Sequence, residues 1–205
     1  MEIYIVRHGE TVWNKEKRIQ GRADIELNEY GRELAIKTGE ALKDVHFDII
    51  YSSPLKRAFE TACLIRGNRN IDIIKDDRIK EVSFGIFEGQ CMDELIENGT
   101  SFKNFFDHPE VYSPAEEGES LEDLCIRAKD FICEVIEKHK NKSQRIMIVA
   151  HGALNKAIMM YVKNHPMENF WSGGLQRNCN VIILDYDENR ENKFNIIDEQ
   201  KVFYD

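Results

Sequence analysis

The sequence lacks the positive charge, the long apolar runs and the cysteine spacing that mark several classes of protein. Its formal net charge is -9, so the summed field repels polyanions and excludes general affinity for nucleic acid or an anionic membrane surface. No apolar run approaches the roughly 18 residues of a membrane span. The first residues also lack a basic stretch followed by an apolar one, as an export signal has. We therefore expect a cytoplasmic protein with no membrane and no nucleic-acid partner.

Cysteine chemistry and cofactor motifs are equally sparse. The five cysteines are odd in number and show no C-x-x-C spacing, whereas disulfide frameworks and zinc sites use paired spacings. We expect reduced, mostly buried thiols at Cys63, Cys91, Cys125, Cys133 and Cys179. No nucleotide-binding glycine motif and no H-E-x-x-H pair occurs, so we expect no cofactor and no metal site.

The remaining composition fits one folded domain over residues 1–205, with 42% hydrophobic and 32% charged residues. Short apolar runs rich in β-branched residues predict strands at 3–6, 49–51, 71–74, 146–150, 181–184 and 194–197. Helical patterns lie between them: one is capped by Asn28, one is capped by Ser53-Pro54 and runs to Ile65, and one runs from Ser120 to about Lys140.

This alternation predicts an α/β fold, with a mostly parallel central sheet between two helical layers. Residues 83–119 break the rhythm with four glycines and two prolines. We interpret them as a helical insertion over the candidate active site at the sheet edge, with short helices near 92–97 and 102–106, rather than as a second domain.

Polar residues follow three of the predicted strands. The first strand ends in Arg7 and His8, the fourth is followed by His151 and Gly152, and Arg57 lies just after the second. In open α/β sheets, ligands bind beyond the carboxyl ends of the strands. Two histidines and two arginines are therefore expected at one edge of the sheet.

These residue types suit a phosphoryl group. Arginine presents a fork of donors to phosphate oxygens, and a neutral imidazole can attack phosphorus. Either His-Gly pair taken alone is more often structural, so the prediction depends on their joint occurrence. The remaining histidines lack such settings, and we interpret them as surface or turn residues: His46, His108, His139 and His165.

Four segments carry a resemblance to a known family. "VRHGETVWN", "QGRADIELNEYG", "SSPLKRAFETA" and "VAHG" resemble motifs of the histidine phosphatase, or phosphoglycerate mutase-like, superfamily. The resemblance implies that His8 is the nucleophile that becomes phosphorylated, with His151 as a second catalytic histidine. It implies a phosphate-binding set of Arg7, Arg57, Asn14, Gly152 and Gln20.

The proton donor to the leaving group is expected in "RIKEVSFGIFEG". Residue chemistry alone does not choose between Glu81 and Glu88, and the resemblance favours Glu81, with Glu88 stabilising a loop. Two positions depart from the family pattern. Glu26-Leu27-Asn28 replaces Pro-Leu-Thr, and Phe87 replaces a common tryptophan.

The resemblance implies a metal-independent phosphomonoesterase acting on a small phosphorylated metabolite through phosphohistidine. The chain length and the "FGIFEG" form favour this branch over a cofactor-dependent phosphoglycerate mutase, which is the first alternative. A non-catalytic phosphate-binding module is the second. The natural substrate stays open, and we expect a monomer or a homodimer.

Overall fold

The computed structural model of the chain describes residues 1–204. Its centre is a six-stranded sheet in the order β3-β2-β4-β1-β5-β6. The strands are β1 (Glu2–Arg7), β2 (Ile49–Ser52), β3 (Ile73–Lys75), β4 (Arg145–Ala150), β5 (Val181–Tyr186) and β6 (Phe194–Lys201). The first four in this order are mutually parallel, and β5 and β6 add an antiparallel edge. A mostly parallel sheet is thus confirmed.

Seven helices surround the sheet in residues 1–204, and short 3-10 turns lie in some of the connections. They are α1 (Val12–Lys15), α2 (Glu29–Ala41), α3 (Lys56–Arg66), α4 (Met92–Glu97), α5 (Phe102–Asp107), α6 (Leu121–His139) and α7 (Gly152–Lys163). As predicted, the Asn28 side chain caps α2, where it accepts from Gly31 N. Ser120, where the third helix was predicted to start, is the cap of α6, and its Oγ accepts from Asp123 N.

The cap predicted for α3 is wrong. The helix begins at Lys56 after Leu55, and no side chain caps it. Ser53 lies two residues before the cap position, Leu55, and its hydroxyl serves another purpose in the site.

Alternating strand residues build two apolar cores, one on each face of the sheet. Ile3 and Ile5 of β1 belong to the core that includes α6 and α7. Tyr4 and Val6 face the opposite way, into the core that includes residues of α3 and Leu42, the C-cap of α2. Because successive strand side chains point to opposite faces, β1, β2, β4 and β5 each supply both cores, and the three-layer α/β/α architecture is confirmed.

The predicted insertion contains α4 and α5 and packs on the α6–α7 face of the sheet. Phe102 and Phe105 are fully buried in that core, and Phe105 meets Trp171 edge-on with ring centroids 5.2 Å apart. Leu95 of α4 is buried in the same cluster. The insertion therefore shares the core of the sheet, while the single-domain organisation stays a prediction.

Three other expectations need correction. His139 is buried rather than exposed, with its Nε2 2.9 Å from the Tyr51 hydroxyl and its Nδ1 2.9 Å from Ser143 Oγ. Among the cysteines only Cys179 is buried, although all five are free thiols. The third strand begins at Ile73 rather than Ile71.

None of the helices in residues 1–204 combines the length and apolar character needed to cross a membrane.

Candidate active site

The carboxyl ends of three adjacent parallel strands build the site. Arg7 is the last residue of β1 and pairs with Ala150, the last residue of β4. His8 and His151 follow directly. On the other side of β4, Ser52 ends β2 and pairs with Val149, so the chain leaves all three strands at one edge of the sheet. This register brings segments from both ends of the chain together.

The two histidine rings lie side by side in the interior. Their centroids are 5.2 Å apart with a 58° interplanar angle, and both residues are buried. His8 Nδ1 is 2.7 Å from Gly9 O. Because a carbonyl oxygen can only accept, Nδ1 carries the hydrogen, and in the neutral ring the lone pair is then on Nε2. That atom is the candidate nucleophile.

Burial and positive charge keep both imidazoles neutral. Burial lowers the pKa of His8 well below its ordinary value, and the charges of Arg57 and Arg7 lower it further. Burial likewise lowers the pKa of His151, again with help from Arg57. Each ring would otherwise titrate close to physiological pH, so this environment preserves a nucleophilic nitrogen at neutral and mildly acidic pH.

Arg57, in the first turn of α3, is completely buried. Its Nη1 donates to Ala23 O and its Nη2 to Gly21 O, both at 2.7 Å. Burial lowers its pKa to about 10, which leaves the guanidinium charged at neutral pH. The loop around Gly21 therefore orients a cation that sequence reasoning, on residue type alone, would place in solvent.

Arg7 is also buried, and its Nη1 donates to Gln176 O. Burial lowers the pKa of this guanidinium as well, and the Glu81 charge opposes that shift. We call Arg7, His8, Arg57 and His151 the phosphate cradle.

Three buried nitrogens of the phosphate cradle have no hydrogen-bond partner in residues 1–204: Arg7 Nε, Arg57 Nε and His151 Nδ1. Buried polar groups without partners carry a desolvation cost. An anion with several acceptor oxygens, such as a phosphoryl group, would satisfy donors at these positions. The donor set thus fits the oxyanion that the residue types predict.

Gly152 lies where the phosphate cradle meets the candidate acid. A Cβ at this position would be 2.7 Å from Leu175 Cδ1, 3.7 Å from Arg7 Nε and 3.8 Å from Glu81 Oε2. Arg7 and the Glu81 carboxylate therefore face the same space beside Gly152. Any side chain at residue 152 would enter that space, which gives the predicted glycine a physical reason.

The Glu81 carboxylate sits at the N-terminus of α7. Its Oε1 accepts from Leu154 N at 3.0 Å, and its Oε2 accepts from Ala153 N at 3.2 Å. Free N–H groups at a helix N-terminus attract anionic side chains. These bonds hold the carboxylate beside the phosphate cradle.

Glu88, the competing carboxylate, makes structural contacts instead. Its Oε1 accepts from Arg22 N at 2.9 Å and from Phe84 N at 3.2 Å. These bonds tie the loop around Gly21 to the segment that carries Glu81. The structure thus places Glu81, and not Glu88, against Gly152 and Arg7.

Asn14 and Gln20 lie at the periphery of the site. Asn14 forms a capping box with Thr11 at the start of α1, and its Oδ1 is 3.4 Å from Asn178 Nδ2, which also donates to His8 O. Gln20 is buried, and its Oε1 accepts from Thr11 Oγ1 at 3.0 Å. Both line up beside the His8 loop, and their contact with substrate stays a prediction.

Sequence reasoning missed several supporting residues. Ser53 Oγ is 2.8 Å from His151 Nε2, and Thr61 Oγ1 accepts from Gly9 N at 3.0 Å. Arg127 of α6 donates to the backbone carbonyl of Glu81. Only the Ser53 contact had a signal, since Ser53 directly follows a strand at the same sheet edge.

Among residues 1–204, no group of three or more His, Cys, Asp or Glu side chains is arranged to hold a metal ion.

Fold and site together define a phosphoryl-transfer enzyme built on a three-layer α/β/α sheet. Comparison with known proteins makes this more specific. The family model for the histidine phosphatase superfamily (branch 1) matches residues 3–197. The chain belongs to this superfamily.

Individual relatives agree with that assignment. Phosphoserine phosphatase 1 of Hydrogenobacter thermophilus is 33% identical over 191 residues, covering 93% of this chain and 89% of the relative. Phosphoglycerate mutase-like protein 4 of Arabidopsis thaliana is 36% identical over 186 residues, covering 89% and 79%. The solved structure of Bacillus stearothermophilus YhfR is 34% identical, with a TM-score of 0.90 over 98% of this chain and 97% of that one. Family membership and the phosphatase among these relatives support a phosphoric monoester hydrolase.

Proposed function

We propose that this chain hydrolyses small phosphomonoesters through a phosphohistidine on His8, with Glu81 as proton donor. The observation that carries the proposal is the convergence of two neutral histidines, two buried arginines and one carboxylate at a single sheet edge. Phosphoryl transfer depends mainly on positioning and charge stabilisation, and this arrangement provides both.

In the first step the lone pair of His8 Nε2 forms a bond to phosphorus. The bond between phosphorus and the ester oxygen breaks, and its electron pair stays on that oxygen. The protonated form of Glu81 gives its proton to the departing alcohol and becomes a carboxylate. The partnerless nitrogens of Arg7 and Arg57 lie where they can stabilise the phosphoryl oxygens.

In the second step water attacks the phosphohistidine. Glu81 accepts a proton from the water, the bond between Nε2 and phosphorus breaks, and inorganic phosphate leaves. The enzyme returns to its starting state with a neutral His8 and a protonated Glu81. No residue in this cycle needs a bound metal, so we expect EDTA to leave the rate unchanged.

Small-molecule substrates suit the buried position of the phosphate cradle, because a phosphoryl group must reach rings that are almost inaccessible to solvent. The relative named as a phosphoserine phosphatase makes phosphorylated amino acids the first compounds to test. The half-exposed Leu175 beside Gly152 provides an apolar surface next to the site.

Phosphoglycerate mutase activity is the second candidate, because one relative carries a mutase-like name. One experiment separates the two. A panel of metabolite monoesters is assayed for phosphate release, and 3-phosphoglycerate is assayed for isomerisation with and without bisphosphoglycerate. We expect phosphate release to dominate. Isomerisation well above phosphate release would reject the hydrolase, and tight phosphate binding without turnover would indicate a non-catalytic module.

A cytoplasmic location and a monomeric or homodimeric state belong to the same proposal. Five free thiols support a location in a reducing compartment, because unpaired cysteines persist there. The residues of the phosphate cradle all come from one chain, so the site does not require a second copy.

A further inference from the structure

Arg127 of α6 uses every donor that its guanidinium possesses. Its Nη1 donates to Arg78 O and Lys80 O, both at 2.6 Å, and its Nη2 donates to Glu81 O at 3.0 Å. The remaining two N–H groups bind the Glu119 carboxylate, at 2.6 and 2.8 Å. Arginine has five N–H donors, so the side chain is saturated, and three of the five bonds go to one stretch of backbone.

That stretch is the acid segment, residues 78–83, which carries Glu81. Most of it lies between two 3-10 turns, Asp77–Ile79 and Gly85–Phe87, and no named strand includes it. A strand ladder would fix its backbone, and here side chains take over that task. Glu119 fixes the C-terminal end of the acid segment, because its Oε2 accepts a hydrogen bond from Ser83 N at 3.3 Å.

The Glu81 side chain is held by a different helix. Its carboxylate accepts from the N–H groups of Ala153 and Leu154 in the first turn of α7. Helices α6 and α7 pack against each other in the same apolar core. The backbone of Glu81 is therefore tied to one helix and its carboxylate to the next, and the two helices form one frame.

We propose that Arg127, oriented by Glu119, is a positioning residue that holds the Glu81 carboxylate beside the phosphate cradle. This inference rests on the proposed function, in which Glu81 protonates the leaving oxygen. Arg127 itself does not touch the substrate. Its effect passes through the carbonyls of residues 78, 80 and 81.

A purely stabilising role explains the arrangement less well. The Arg127 and Glu119 side chains are only 16% and 12% exposed, and a buried ion pair gains little net stability over apolar residues of similar volume. Lysine could keep the charge, but a single ammonium cannot reach three carbonyls and both carboxylate oxygens. Arginine is thus required for the geometry rather than for the charge.

The test compares two kinds of substrate in Arg127→Lys. An alkyl phosphate needs a proton on its leaving oxygen, whereas p-nitrophenolate is stable enough to leave without one. The measured quantity is kcat/KM, which reports the step that cleaves the ester. We expect a loss of about 10²-fold on the best alkyl phosphate of the panel, since a misplacement of about 1 Å can cost that much. On p-nitrophenyl phosphate we expect a loss of only a few-fold.

Arg69→Lys is the matched control, because the Arg69 guanidinium also donates to several backbone carbonyls, those of Leu42, Val45 and Ile65, none of which belongs to the acid segment. We expect the control to leave both substrates unchanged. Equal losses on both substrates in Arg127→Lys would overturn the inference, because they indicate general damage. Should Arg127→Lys fail to fold, Glu119→Gln decides by the same criterion.

Glu81→Gln separates this inference from the proposed function. If Glu81→Gln loses alkyl phosphate selectively and Arg127→Lys does not, only the positioning role is wrong. If Glu81→Gln shows no selective loss, Glu81 is not the acid, and both conclusions are rejected.

Discussion

The phosphate cradle and the acid segment are built in different ways. Three members of the phosphate cradle directly follow or end strands whose backbones are fixed by a parallel ladder. The acid segment has no ladder and is held by the side chains of Arg127 and Glu119 and by the N–H groups of α7. The phosphate cradle is therefore positioned mainly by the sheet, whereas the position of the proton donor depends on a few side-chain hydrogen bonds.

This difference predicts how substitutions in each region should affect activity. A change in the phosphate cradle removes a cation or a donor that faces the phosphoryl group. Every substrate has that group, so kcat/KM should fall by a similar factor for all substrates. A change in the acid segment affects only the leaving oxygen, so substrates should separate by how much they need a proton. Leaving-group dependence thus distinguishes the two regions.

The largest effect is expected for Glu81→Gln, which removes the transferable proton. The alkyl phosphate should lose about 10²- to 10⁴-fold in kcat/KM, the range of general acid catalysis, and p-nitrophenyl phosphate much less. Glu88→Gln is the control, because an amide oxygen can still accept from Arg22 N and Phe84 N. A selective loss in Glu88→Gln instead would reverse the assignment of the two carboxylates.

Arg57→Lys should produce the next largest effect. The variant keeps a cation and loses the buried fork, so both substrates should lose about 10²- to 10³-fold, as on removal of one oxyanion donor. Arg69→Lys is a matched control, since Arg69 also donates to several backbone carbonyls and lies over Phe47, which precedes β2, whereas the site follows the carboxyl end of that strand. If Arg57→Lys discriminated between the substrates, the distinction between the two regions would fail.

The smallest effect concerns stability against pH. The pKa values of His8 and His151 lie well below 6.5 in the folded chain, so the unfolded chain binds more protons below that pH. The free energy of unfolding should therefore fall as pH drops below 6.5, by about 1.4 kcal/mol per pH unit for each histidine. Urea unfolding of the native chain and of His8→Gln measures this. An unchanged slope in the variant would contradict burial of a neutral His8.

The sheet and the phosphate cradle could be predicted because their signals are local. Apolar β-branched runs indicate strands, and Arg7, His8 and His151 stand directly at strand ends. Parallel order then brings them together without any knowledge of side-chain contacts. The Asn28 cap and the helix start at Ser120 could also be predicted, because a cap and its helix are adjacent in sequence.

The supporting contacts could not be predicted, since each joins residues remote in sequence. Arg127 reaches the Glu81 carbonyl across 46 positions, and Ser53 meets His151 across 98. His139 was misassigned because its partner Tyr51 is 88 positions away. A single sequence shows periodicity, but it does not show which distant polar side chains will face each other.

The most direct test of the account is to trap the phosphorylated residue. The native chain and His8→Ala are mixed with a labelled monoester, quenched within the first turnover and mapped by mass spectrometry. We expect an acid-labile, base-stable phosphoryl group on His8 in the native chain and none in the variant. Label on another residue, or a variant that still turns over, would contradict His8 as the nucleophile.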